Sequence, residues 1–261
     1  MCAVCRNVIC PETGKSHNIS RCRDHFKQKL EKRFRVPTTK KGYIMGLKQR
    51  YDVFDAELLH GAVFAGDFEI PVIGGNHYRP RRTIPFDQLK QDNKEKDLWV
   101  HFYVHDYRFL PVLRTPGKYL PALRKYAGVI GLDNSVYRDL PLAEQIHGIY
   151  LNRLFDYHLQ RNGIPVIPNI SWGDHRSFDF CFDGIEPHTT VAVSSYGCVR
   201  RKVDREYFLD GFARMLKQLR PDAVVFHGAM LEDVKYLTEK HDVLLLPVKS
   251  RLDTVFSKEV S

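Results

Sequence analysis

The residues able to do chemistry fall into two groups, one at the N-terminus and one spread along the body of the chain. The first is a cysteine cluster. Cys2, Cys5, Cys10 and Cys22 account for four of the six cysteines and lie within the first 22 residues. Cys2 and Cys5 form a C-x2-C knuckle, and after sixteen residues comes Cys22-Arg-Asp-His25, so the pattern reads C-x2-C-x16-C-x2-H. Tetrahedral zinc takes four such ligands in two close pairs, because each two-residue spacing lets one turn aim two side chains at one ion. The expectation is one structural zinc on Cys2, Cys5, Cys22 and His25, with Cys10 or His17 able to replace His25, and reduced metal-free thiols as the plain alternative. A disulfide framework is not expected, since cytoplasmic thiols stay reduced.

The second group consists of polar residues that each close an apolar run: Val104-His105-Asp106, Leu132-Asp133-Asn134-Ser135, Asn169 through Asp174, Ser194-Ser195-Tyr196-Gly197 and His227-Gly228. Asp133 stands out as a candidate general base or nucleophile, with His105 and His227 as acid–base partners. Trp172 and Tyr196 could hold a flat ring such as a nucleobase, with Asn169 and Ser194 beside them as substrate-binding groups. Each has a plainer role: Asp133 as a helix cap, the histidines as hydrogen-bonded core residues, the rings as lids on a sheet. Cys181 and Cys198 are expected to pack as small apolar residues. No H-E-x-x-H, G-x-S-x-G or phosphate-cradling glycine loop occurs, which lowers the standing of the enzyme classes that carry those marks.

The elements that would position these groups follow from hydrophobic periodicity. Short runs rich in Val, Ile, Leu and Phe alternate with amphipathic segments, which argues for a parallel sheet with crossover helices. Strands are expected at 62–73, 98–105, 128–133, 164–172, 190–196, 223–227 and 243–248, and the clearest helices at 140–162 and 204–220, the latter capped by Asp204. Trp99, His101, Tyr103 and His105 would line one face of their strand while Val100, Phe102 and Val104 pack outward. The expected fold class is α/β: a closed or incomplete (β/α) barrel-like body over residues 38–261, with a small zinc-finger-like appendage at 1–37. In such sheets sites assemble at the C-terminal ends of the strands, where the polar residues gather.

Charge separates the two parts. Residues 1–50 hold 13 Lys/Arg and 3 Asp/Glu, and the remainder holds 27 and 28, so the net charge of +9 resides in the first fifth of the 261-residue chain. Ser20 can cap a helix in which Cys22, Phe26, Leu30 and Phe34 recur every four residues until Pro37, leaving a basic remainder. Arg21, Arg23, Lys27, Lys29, Arg33 and Arg35 on that helix are the expected nucleic-acid contacts, because neutralising phosphates releases their counterions. The bland alternative is a solvated basic appendage. Knuckle, hairpin and ligand-bearing helix together resemble a treble-clef zinc finger. No apolar run approaches a membrane span and no secretion signal opens the chain, so a cytoplasmic protein without membrane contact is expected.

The phrases VHFYVHDYRF, GLDNSVYRDLPLAEQIHGIYLNRL, NGIPVIPNISWGDHRSFDFCFDGI, VAVSSYGC and LRPDAVVFHG resemble the bacterial and phage family called domain of unknown function 4417. The likeness implies a phage or mobile-element context and no activity. One departure is Asp133-Asn134-Ser135, where that family tends to read Pro-Asp-Phe-Ser. The order of strand-end residues is also similar to that of base-exchanging transglycosylase barrels, an analogy that implies Asp133 near a glycosidic bond. Two functions are therefore expected to compete: an enzyme acting on a nucleotide, base or nucleic acid, and a non-catalytic DNA- or RNA-binding replication or regulatory factor. Oligomeric state has no signature in the sequence.

Overall fold

The computed structural model describes residues 57–89 and 96–248, together with the backbone of two short strands, β1 (Asn7–Ile9) and β2 (Ser16–Asn18). These two pair antiparallel with Val8 opposite His17, a hairpin that falls between Cys5 and Cys22 in the sequence. Cys2, Cys5, Cys22, His25 and the basic residues from Arg21 to Arg35 lie outside the described residues.

In the body, seven strands run parallel in chain order: β5 (Arg82–Pro85), β6 (Leu98–His101), β7 (Gly128–Ile130), β8 (Val166–Ile167), β9 (Thr190–Ser194), β10 (Ala223–His227) and β11 (Leu244–Val248). They form ladders of four and three strands. The ladders meet just past β8, where Ala192 N–H donates to Pro168 O at 2.9 Å and Ile170 N–H donates to Ala192 O at 2.8 Å. The crossovers carry helices α1 (Leu110–Arg114), α2 (Pro116–Leu123), α3 (Leu142–Arg161), α4 (Lys202–Leu219) and α5 (Glu232–Lys240).

Alternation along the strands decides which face the helices cover. Leu98, Val100, Val129 and Val166 pack with Leu120, Leu123, Phe155 and Leu159 of α2 and α3. Val191, Val193, Val224 and Phe226 pack with Phe208, Phe212, Met215 and Val234 of α4 and α5. The opposite face gathers Trp99, Ile130, Ile167, Ala192, Val225 and Val248 into one cluster that contains no helix residue. A sheet with helices on one face only must bury the other against itself, so it curls. The curl is measurable. β6 and β10 lie four strands apart, about 19 Å in a flat sheet at the usual spacing of about 4.8 Å, yet the rings of His101 and His227 approach to 5.0 Å.

Several expectations are corrected. The segment 62–73 is not one strand but a hairpin, β3 (Phe64–Ala65) and β4 (Ile70–Pro71). Its turn includes Gly66 at φ +71°, and a side chain on that glycine would run into the carboxylate of Asp183. β5 was hidden by Arg79-Pro80-Arg81-Arg82 and Pro85, residues tolerated because β5 is at the sheet edge. Asp204 does not cap α4; the helix starts at Lys202 with Arg201 before it, and Asp204 sits in the first turn beside the helix dipole. Cys198 is exposed, whereas Cys181 is buried as expected. Closure of a barrel is not shown: among the described residues β5 and β11 do not pair. Nor is any helix there long and apolar enough to cross a membrane.

Candidate functional site

α3 is an unusual core helix, because the face it buries includes Gln145, Asn152, Arg153, Asp156 and His158. Three of them, Gln145, Asn152 and Asp156, hold the loop that follows β7, Gln145 by donating to Leu140 O. Asp156 accepts a hydrogen bond from Leu132 N–H at 3.1 Å, and Asn152 accepts from Asn134 N–H at 2.9 Å and from its side-chain amide at 2.9 Å. From the β6 side, Asp106 accepts from Ser135 N–H at 3.1 Å and Ser135 Oγ–H at 2.9 Å. The backbone N–H groups of residues 132, 134 and 135 are thus all satisfied by side chains, and Asp133 is fixed between them. Gly131 is required here, since a Cβ would collide with the Asp156 carboxylate.

Asp133 points to a cleft of about 960 Å³ at the C-terminal ends of β6 to β9. Asn169 donates to its Oδ1 at 2.7 Å and accepts from Tyr103 O–H at 3.0 Å. Burial pushes the Asp133 carboxyl up to about 7, and the neighbouring Asp106 charge adds to this against the opposing Asn169 hydrogen bond. The same surroundings raise Tyr103: burial first, then the Asp133 and Asp156 charges.

The sequence-predicted residues converge. His105, Asp133, Trp172, Ser194 and Tyr196 all line the cleft. Asn169 and His227 lie beneath it, both buried. His227 Nδ1 is 3.1 Å from Ser194 Oγ, and its ring stacks on Tyr103 at 4.4 Å. His105 is exposed, not buried in the core, and stacks on Tyr107 with ring planes 12° apart. Asp133 is no helix cap, because α3 begins only at Leu142. Trp172 is committed to the scaffold: its indole N–H donates to Tyr207 O at 3.1 Å and its ring lies against Gly211, where any side chain would clash. That leaves Tyr196 as the freer ring. Burial and His227 depress the His101 imidazole to about 3, so it stays neutral and accepts Tyr103 N–H at 3.2 Å.

Sequence reasoning missed the groups that complete the cleft: Asp106 and Ser135 as a pair, Tyr107 and Tyr137, and the rim arginines Arg138 and Arg201. Asp106 and Ser135 each follow an apolar run in the sequence, but no local pattern links the tip of one strand to that of the next. Among the described residues no group of three or more His, Cys, Asp or Glu is placed to hold a metal.

A parallel α/β protein with a polar cleft at its strand ends is the class that fold and site define. Residues 62–243 match the family Domain of unknown function (DUF4417), and the chain belongs to it. It is 35% identical over 131 residues to the Gene 1 protein of Mycobacterium phage D29, covering 50% of this chain and 48% of that protein. To the Gene 1 protein of Mycobacterium phage L5 it is 34% identical over 131 residues, covering 50% and 57% respectively. The chain spans about half the length of these curated relatives. No solved structure matches.

The raised Asp133 pKa has a consequence for stability. The folded protein binds this proton more tightly than the unfolded chain, whose carboxyl titrates near 3.8. Stability from this group is therefore fully present below about 4 and is lost as pH rises to about 7. Asp133→Asn, which cannot ionise, should gain on wild type by about 1–2 kcal/mol between pH 4 and pH 8, or roughly 2–8 °C in Tm, a gain reduced by the carboxyl's partial exposure to the open cleft. Thermal unfolding of both proteins across this range checks it; a Tm difference that does not change with pH contradicts it.

Proposed function

We propose that the cleft binds a nucleotide, base or nucleic acid and acts on it by general acid–base chemistry, with Asp133 moving the proton. One observation carries this reading: a carboxyl fixed in a cleft at the strand ends and held near 7, so that it can give or take a proton at neutral pH. His105 at the cleft wall is the second acid–base group, and His227 acts through Ser194. Tyr196 offers a ring face to a base, with Trp172 also in the cleft lining. The body in this reading is an incomplete (β/α) barrel, an architecture whose sites sit at these strand ends.

The N-terminal part supplies attachment to nucleic acid. One zinc on Cys2, Cys5, Cys22 and His25, or on Cys10 or His17 in place of His25, would order a segment too small for a core of its own. The basic residues Arg21, Arg23, Lys27, Lys29, Arg33 and Arg35 would then face phosphates. The hairpin of β1 and β2 between the ligand pairs supports this arrangement. The phage relatives supply a setting in which a nucleic-acid protein is at home.

A panel of nucleosides, nucleotides and short oligonucleotides, read by thermal shift and by product analysis, tests the cleft. Wild type should bind and convert at least one, and Asp133→Asn should lower kcat by at least about 100-fold, the usual share of a proton-transferring group. Binding that depends only on residues 1–37, with no conversion, would replace this reading by the non-catalytic DNA- or RNA-binding factor. Metal analysis of the full chain should find one zinc, and Cys22→Ser should abolish it. If His25→Ala keeps the metal, Cys10 or His17 is the fourth ligand; a chain without metal rejects the site.

A further inference from the structure

Charge inside the cleft narrows the substrate class. Five aspartates line it, Asp106, Asp133, Asp139, Asp174 and Asp204, against two arginines, Arg138 and Arg201. Both arginines are already paired with Asp204, Arg201 at 2.6 Å and Arg138 at 3.2 Å, and Arg138 also covers the ring of Tyr207. Arg176, next to the rim, is paired with Asp174 at 2.8 Å. The deep carboxylates differ from these. Asp133 is bonded to Asn169, Asp106 to Ser135, and neither pairs with a Lys or Arg among the described residues. A phosphate entering this cleft would meet the Asp106 carboxylate, which no cation among the described residues neutralises, and no unpaired arginine in its lining.

The mouth carries a different kind of group. Tyr107, Tyr137 and Tyr196 are more than half exposed, at 65%, 59% and 52%; Tyr107 already stacks on His105 and carries Arg108 over its ring, so Tyr137 and Tyr196 offer the flat apolar faces. Rings above and carboxylates below suit an uncharged ligand with a planar part and a polar part. They also suit one kind of transition state. Breaking a glycosidic bond develops positive charge at the anomeric carbon and ring oxygen, which fixed carboxylates stabilise. Phosphoryl transfer needs cations around the transferring group.

We infer that the cleft takes the neutral nucleoside part of its substrate and breaks the glycosidic bond, with any flanking phosphates left to groups outside it. This rests on the function proposed above and names its substrate class and bond. In the step, the C–N bond breaks with its electron pair on the base, and protonated Asp133 gives its proton to that nitrogen. Water oxygen bonds to the anomeric carbon, Asp106 stabilises the positive charge at that carbon, and the proton released by water returns to Asp133. One nucleoside and one water become one free base and one free sugar.

Product identity on the full chain tests this, using purine and pyrimidine nucleosides, their 5′-monophosphates and a short single-stranded oligonucleotide. Chromatography should show free base from the nucleosides and base release from the oligonucleotide with its backbone uncut. Nucleosides should exceed their 5′-monophosphates in kcat/KM by at least about tenfold, the repulsion expected from the unpaired Asp106 carboxylate at short range. Asp106→Asn, verified as folded by circular dichroism, should lose at least about 100-fold in kcat. Released phosphate or shortened strands, abolished by Asp133→Asn, would overturn the inference and leave the proposed function standing. Binding with no bond broken also overturns it. If no compound binds or reacts, both fall.

Discussion

A guanidinium that water does not reach lies at the centre of this fold, and its hydrogen bonds fix the parts around it. Arg153 of α3 is fully buried. It donates to Asn169 O at 2.9 Å, to Cys181 O at 3.1 Å and to Asp183 O at 3.4 Å, so it ties the helix to the end of β8 and to the chain beyond. Burial lowers its pKa, and the nearby Asp156 charge opposes that. Asp156 is in turn pushed up to about 7 by burial, against the pull of Arg153 and the Leu132 N–H. A buried charge tolerates little displacement, because losing a partner costs about 3–5 kcal/mol. Asn169 and Leu132 are therefore held from the same helix turn, and Asp133 lies between what they hold.

The curl of the sheet supplies the second half of the arrangement. Its concave face is apolar at the level of Trp99, Ile130, Ile167, Ala192 and Val225 and polar one level higher, where Tyr103, Asn169, Ser194 and His227 meet. Groups from strands that a flat sheet would separate come within contact distance, so the cleft floor is a product of topology as much as of any loop. The floor is dense with hydrogen bonds, and the mouth carries exposed tyrosines. Preorganised polarity under a wet, aromatic entrance is an arrangement suited to chemistry on a ring-bearing substrate.

Much of this was legible in the sequence where period and chemistry agree. Ala223–His227 was readable to the residue, because four apolar residues end on His-Gly. The alternation of Trp99, His101 and Tyr103 against Val100 and Phe102 matches the two faces of β6 and of the two residues that follow it. The polar strand ends pointed to the cleft, and His105, Asp133, Trp172, Ser194 and Tyr196 did converge on it. What stayed hidden depends on contacts between distant segments. β5 was obscured by its prolines and arginines. The buried polar face of α3 lacks the clean apolar stripe that marks a core helix, because Asn152, Arg153 and Asp156 hold loops instead of filling volume. The Asp106–Ser135 pair joins residues 29 apart that no local pattern links.

The central claim is that buried side chains of α3, together with Asp106, lock the loop carrying Asp133. Native-state amide hydrogen exchange reads this directly, because the N–H groups of Leu132, Asn134 and Ser135 lie outside any ladder and are bonded by Asp156, Asn152 and Asp106. The account predicts that these three amides exchange as slowly as those in the middle of α3. Exchange at the rate of an unprotected surface loop would show that Asp133 is not held, and would contradict the account.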